Sequence, residues 1–178
     1  MYLPQDFKKT DMSTVLKLIN SAPLATLVAH TSAGLRADHI PLLMVKDRLI
    51  GHVALANDLH EILKLNHDVL AVFSGENAYI SPNWYLSKTD THEVVPTWNY
   101  EVVHVHGRIT FHHDRKSKLA VVGQLTKVFE TRTNGNVAWR MSDMPADFME
   151  QKLHGIVTFE IQPTRILGKS KLSQNKSD

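Results

Sequence analysis

Thr97-Trp98-Asn99-Tyr100-Glu101-Val102-Val103-His104-Val105-His106-Gly107-Arg108-Ile109-Thr110-Phe111 is the stretch from which the fold can be read. Val103, Val105, Ile109 and Phe111 fall on one face, and His104, His106, Arg108 and Thr110 on the other. That period of two marks a long strand with one face buried.

Working outward toward the N-terminus, two strands are expected at Val69 to Ser74 and Ala78 to Ser81, after a short helix following Asn57 with Leu59, Ile62 and Leu63 inward. Further upstream, Leu24 to His30, a turn at Thr31-Ser32-Ala33-Gly34, Leu35 to Lys46, a tight turn at Asp47-Arg48 and Leu49 to Ala54 read as an antiparallel meander. Asp11 caps a helix whose residues Met12, Val15, Leu16 and Ile19 form one apolar stripe, and Pro23 ends it. On the C-terminal side, Asp114 opens a helix with Leu119, Val122, Leu125 and Phe129 inward, and Asn134-Gly135-Asn136 breaks it. A second helix around Ala146 to Leu153 leads into a strand at Ile156 to Ile161, with a loop expected over 86–95 and a tail after Leu167. Short strands joined by hairpin turns, with few helices between, predict a mainly β (α+β) fold, an antiparallel barrel, as one domain over 1–178.

Composition narrows the function classes. The chain is 43% hydrophobic and 21% charged, enough apolar content for one soluble core. It has no cysteine, which excludes disulfides and thiolate metal sites and fits a reducing, cytoplasmic setting. No apolar run approaches the roughly 18 residues of a membrane helix, and the start does not read as a secretion signal. A formal charge of +2 is too small to argue for a direct DNA reader, and no helix-turn-helix is visible, although Arg165, Lys169, Lys171 and Lys176 make the end locally basic. Dinucleotide, P-loop and nucleophile-elbow motifs are missing, and no nucleophile stands out. His104 and His106 point the same way on their strand, but two ligands do not make a metal site, so none is expected.

Three segments exceed what scaffold alone needs. Ser81-Pro82-Asn83-Trp84-Tyr85 with Val95-Pro96-Thr97-Trp98-Asn99-Tyr100 gathers two of the three tryptophans beside rigid prolines and amides, suited to a planar ligand or to core and dimer packing. Asp38-His39-Ile40-Pro41 with Gly51-His52-Val53-Ala54-Leu55-Ala56-Asn57 fits close backbone approach by a ligand or a tight barrel corner. Gly168-Lys169-Ser170-Lys171-Leu172-Ser173-Gln174-Asn175 fits a phosphate cradle or a solvated terminus.

Taken together and in this order, the segments resemble the PaiB family of FMN-binding negative transcriptional regulators. The resemblance rests on Tyr2, Pro4 and Phe7, His39-Ile40-Pro41-Leu42-Leu43, Gly51-His52-Val53-Ala54 with Ala56-Asn57, and Ala71-Val72-Phe73. It continues through Ala78-Tyr79-Ile80-Ser81-Pro82, Trp84-Tyr85, Pro96-Thr97-Trp98-Asn99-Tyr100, His104-Val105 and Lys171-Leu172-Ser173-Gln174-Asn175. It implies an FMN-binding split β-barrel working as a homodimer, with each cofactor site shared between protomers. Two other readings stay open: an FMN-dependent oxidoreductase or flavin reductase, and a haem-binding split barrel. Leu55 stands where the family often has arginine and Asn83 where serine is common, so one cationic phosphate contact is expected to be missing; the sequence also stops at Asp178, sooner after the Lys-Leu-Ser-Gln-Asn string than the resemblance implies.

On this resemblance, the polar or phosphate contacts of FMN fall to His39, His52, Asn57, Lys88, Lys169 and Lys171. Trp84, Tyr85 and Trp98 become ring walls, and Ser81, Thr97, Asn99, Ser173 and Gln174 hydrogen-bonding partners. These types match what FMN needs: a cationic cradle, flat apolar walls and donors near the ring edge.

Overall fold

One antiparallel sheet organises the computed structural model, which describes residues 1–63, 65–85 and 93–175. In chain order its elements are β1 (Lys8–Lys9), α1 (Met12–Ser21), β2 (Leu24–Thr31), β3 (Gly34–Pro41), β4 (Leu43–Val45), β5 (Arg48–Ala54), α2 (Leu59–Ile62), β6 (His67–Ile80), β7 (Thr97–His112), α3 (Arg115–Asn134), α4 (Ala146–His154) and β8 (Ile156–Lys171). The strand order is β3-β2-β6-β7-β8-β5-β4, with β1 added beside β8. β3 and β4 are consecutive in the chain yet lie at opposite ends of that path, so the sheet coils round on itself and stays open between them.

The inner face is apolar because each strand alternates. Ala25, Leu27 and Ala29 from β2, Val69, Ala71 and Phe73 from β6, Val103, Val105 and Ile109 from β7, and Val157, Phe159 and Ile161 from β8 are all buried. α1 closes one side of this interior: Asp11 accepts hydrogen bonds from Ser13 N (3.3 Å) and Thr14 N (2.9 Å), and the helix buries Val15 and Ile19 while Met12 stays exposed. α3 packs on the outer side of β4 and β5, where Leu125 meets Leu43 and Ile50.

Several expected elements change in extent. β6 is one strand rather than two, because a bulge between Ser74 and Asn77 absorbs Gly75-Glu76 without ending the pairing to β7. The run from Leu35 to Lys46 is two strands, broken at Leu42, whose amide donates to Pro23 O at 2.8 Å. The next turn is Lys46-Asp47, with Lys46 left-handed at φ 56°, and Arg48 already belongs to β5. Ile62 faces outward while Leu59 and Leu63 are buried. On α3 the packed stripe is Val121, Leu125, Val128 and Phe129, so Leu119 and Val122 sit on a flank.

The largest change is β8. The predicted strand at Ile156 to Ile161 continues through the predicted tail to Lys171, with Lys169 and Ser170 buried. Pro163 has no amide to give the ladder, yet the ladder survives it: partners shift from His106↔Arg165 to Gly107↔Pro163, and the extra residue Thr164 donates its hydroxyl to His106 O at 3.2 Å. Glycine is required opposite the proline, since a Cβ at Gly107 would stand 2.6 Å from Gln162 O.

Candidate functional site

The outer ends of β7 and β8 assemble an aromatic and cationic surface. Partners across the ladder share a face, so Tyr100↔Lys171, Val102↔Lys169 and His104↔Leu167 set Tyr100, Val102 and His104 beside the two lysines. Across the other edge of β7, Tyr79↔Trp98 and Asn77↔Tyr100 extend the same face onto β6. Tyr79 and Trp98 meet edge to face at 6.1 Å, and Trp98 remains 54% exposed. A groove of about 490 Å³, in the range of small-molecule sites, runs here over Asn77, Trp98, Tyr100, Glu101, Val102 and His104; the lysines stand beside it rather than in its lining, and the Glu101 carboxylate accepts from Ser170 Oγ at 2.8 Å.

The cations are held without being neutralised. Lys169 is 7% exposed; its Nζ donates to Tyr2 O at 3.2 Å and lies 5.2 Å from the Tyr100 ring centroid and 5.7 Å from that of Tyr2. Lys171 Nζ donates to Thr97 Oγ1 and, at 3.0 Å, to Trp98 O. Among the described residues no carboxylate comes within ion-pair distance of either lysine. A desolvated ammonium with neutral acceptors keeps most of its attraction for an anion.

The segment after β8 is pinned to this surface. Tyr85 OH donates to Ser173 Oγ (3.1 Å), and Ser173 Oγ donates to Asn99 Oδ1 (3.0 Å). Gln174 Nε2 donates to Asp6 O (3.0 Å) and Ser170 O (2.7 Å), and its Oε1 accepts from Leu172 N (2.7 Å). Ser173 takes a left-handed conformation, φ 65°, that turns the chain back. Ser81 caps the turn carrying Trp84 by accepting from Asn83 N at 3.2 Å, and Trp84 is 66% exposed. Ten of the fourteen expected residues thus belong to one region: Ser81, Trp84, Tyr85, Thr97, Trp98, Asn99, Lys169, Lys171, Ser173 and Gln174. Lys88 and most of the loop expected over 86–95 lie outside the described residues.

The remaining three are elsewhere. His39 is exposed on β3 with Thr26 Oγ1 3.1 Å from its Nδ1, and the register His39↔Thr26↔Val72↔His104 puts it on the groove's face, three strands away. Asn57 is committed to a network at the barrel mouth. Its Oδ1 accepts from Arg36 Nη2 (2.9 Å) and Leu59 N (2.9 Å), and its Nδ2 donates to Asp38 Oδ1 (3.1 Å). His52 pairs with Thr158 on β8, and its buried Nδ1 has no hydrogen-bond partner. Burial pushes its pKa below the usual histidine value. Thr158 and Lys169 are eleven residues apart on one strand, about 36 Å of contour at ~3.3 Å per residue, so His52 and the lysines mark opposite ends of β8.

Tyr79, Tyr100 and His104 were not assigned from the sequence. The β6–β7 register brings them in, and that register was hidden while β6 read as two strands. His104 and His106 share a face as expected, with ring centroids 6.5 Å apart, and both pKa values are lowered chiefly by burial.

A family model described as "Putative FMN-binding domain" matches residues 1–165. The chain belongs to this family. It is 31% identical over its full length to the PaiB protein of Bacillus subtilis strain 168, "Protease synthase and sporulation protein PAI 2", and covers 84% of that relative. Solved split-barrel structures share the fold. An FAD- and haem-binding protein from Mycobacterium smegmatis superposes with a TM-score of 0.68 at 15% identity, covering 92% of this chain and 73% of that one. The flavocytochrome Anf3 from Azotobacter vinelandii gives a TM-score of 0.68 at 15% identity, covering 93% and 70%. FMN is the cofactor of the family and of this chain, and the residues present fit it: buried Lys169, with no ion-pair partner among the described residues, suits a phosphate, and exposed Trp84 and Trp98 offer flat ring faces. Among the described residues no helix is long and apolar enough to cross a membrane.

Proposed function

We propose that the protein is a flavin-linked sensor of the PaiB type, acting in the cytoplasm as a homodimeric negative regulator of transcription. The observation that carries the reading is the buried Lys169, with no ion-pair partner among the described residues, beside Lys171 and the Trp98 groove. Bound FMN supplies flavin redox chemistry there. The protein's own part is to hold the phosphate with the two ammonium groups and to cover the ring with Trp98, Trp84 and Tyr85. Thr97 accepts from Lys171 Nζ, Ser173 and Asn99 tie the segment after β8 to β7, Gln174 fixes the backbone at Ser170, and Ser81 orients the turn that carries Trp84.

The split between the candidate residues supports dimerisation. His52 and the lysines stand at opposite ends of β8 in one protomer, so a cofactor that touches both sets needs a second copy laid against the outer sheet face. That face carries apolar side chains uncovered by helices, Leu24, Tyr79 and Trp98 among them. With a formal charge of +2, the regulatory output is expected to pass through a partner rather than direct DNA contact. Titration with FMN and riboflavin, alongside light scattering, tests the proposal. FMN is expected to bind at least tenfold more tightly than riboflavin to a dimer, through its phosphate. Equal affinity for the two flavins removes the phosphate role, and a monomer binding FMN at full affinity removes the shared site.

A further inference from the structure

A second cavity, of about 530 Å³, lies on the helical side of the molecule, where the chain leaves α3, turns at Gly135 (φ 55°) and returns along the helix. The flavin reading does not use it. Its floor is Gly123, in the middle of α3, where glycine weakens a helix. Packing does not demand that glycine: an added Cβ would meet only Met141 Sδ, at an ordinary 3.8 Å. The returning segment is braced rather than loose. Glu130 Oε2 accepts from Trp139 N (3.1 Å) and Asn134 Nδ2 (2.7 Å), and Asp143 Oδ2 accepts from Arg140 N (3.0 Å). The walls combine the Trp139 side chain, on a residue 42% exposed, with the cations Lys127 and Arg140. Among the described residues neither cation has a carboxylate within ion-pair distance.

We infer that this cavity is a second ligand site, distinct from the flavin groove, for a planar ring carrying one anionic group. The indole offers the ring a stacking or edge contact, Arg140 and Lys127 take the charge, and the missing side chain at position 123 leaves the depth. A pre-braced cavity spares the ligand the cost of ordering the loop.

The test uses protein saturated with FMN, so that the flavin groove is filled and its occupancy is followed by flavin absorption. AMP and salicylate serve as probes in calorimetry, one presenting a phosphate and the other a carboxylate. At least one is expected to bind at submillimolar concentration, one per chain, and the preference identifies the anion. Gly123→Leu fills the floor and should weaken that binding at least tenfold while flavin absorption stays unchanged. Arg140→Gln, which leaves the helix intact, should weaken it several-fold, with the loss shrinking at high salt. No binding of either probe at millimolar concentration overturns the inference. So does unchanged affinity in a folded Gly123→Leu protein or, should that variant not fold, in Arg140→Gln.

Discussion

The two polar regions of the barrel are built on opposite principles. At the mouth formed by β3 and the segment before α2, one guanidinium is closed in by two carboxylates and an amide. Arg36 Nε donates to Asp38 Oδ2 at 2.8 Å, a second guanidinium nitrogen reaches Asp58, and Asn57 bridges Arg36 and Asp38. These pairings hold the Asp38 carboxyl below its usual range and raise the Arg36 pKa further still. At the β7–β8 end, Lys169 and Lys171 are set among tyrosines, backbone carbonyls and a threonine, with no carboxylate within ion-pair distance among the described residues; the nearby Glu101 accepts instead from Ser170 Oγ. A closed network spends its electrostatic capacity on the fold, whereas a desolvated cation with neutral neighbours keeps it for a ligand. Although sequence reading marked both regions as candidate site, pairing distinguishes them.

The sharpest way to break the comparison is Asp38→Ala. It leaves Arg36, with 28% side-chain exposure, short of its main partner, and should cost about 2 kcal/mol of stability, discounted from a fully buried pair for solvent screening. Urea denaturation reads the loss, while FMN affinity of the folded protein should stay within about twofold. A large fall in affinity with little loss of stability would move the phosphate site to the mouth.

The reciprocal change is Lys169→Ala with Lys171→Ala. FMN should weaken at least tenfold, about 1.4 kcal/mol, with a smaller effect on riboflavin and a partial recovery of the difference at high salt. Fluorescence titration with both flavins at two salt concentrations measures it. If FMN affinity stays within twofold, the lysines are structural and the phosphate is held from the His39 and His52 side.

How far this contrast was legible beforehand depends on the kind of signal. Strand alternation along β7 and the Asp11 and Asp114 caps are local, so the sequence carries them whole. β8 was expected only to Ile161; its continuation past Pro163 depends on a register shift opposite Gly107, a tertiary contact that the segment's own residues do not announce. The three-strand register linking His39 to His104 and the closure of Arg36 by Asp38, Asn57 and Asp58 are tertiary facts. No periodicity announces whether a charged side chain will find an opposite charge. Ten of the expected site residues lie together because they fall within short strings at the ends of adjacent strands, while His52 and Asn57 belong to a string whose residues point different ways.

The smallest expected effect concerns His52, which belongs to neither pattern: it is half-buried and polar, and its buried Nδ1 has no hydrogen-bond partner among the described residues. Burial favours the neutral ring, so its folded pKa lies below the ordinary 6.5. Above pH 6.5 both folded and unfolded chains carry it neutral, and it imposes no pH dependence. As pH falls through 6.5 toward the folded value, the unfolded chain takes up the proton first, and stability is lost. His104 and His106, shifted the same way, add to the same slope. His52→Gln removes one titrating group and keeps polarity, so the difference between variant and parent isolates its share. Urea midpoints at pH 7.5 and 5.5 should show the parent losing more stability than the variant, by about 1 kcal/mol or less. If FMN closes over His52 in a dimer, saturating FMN should change that difference, because the ligand then binds a fold in which the ring must stay neutral. An identical difference with and without FMN would place His52 outside the flavin site, leaving the β7–β8 end to hold the phosphate.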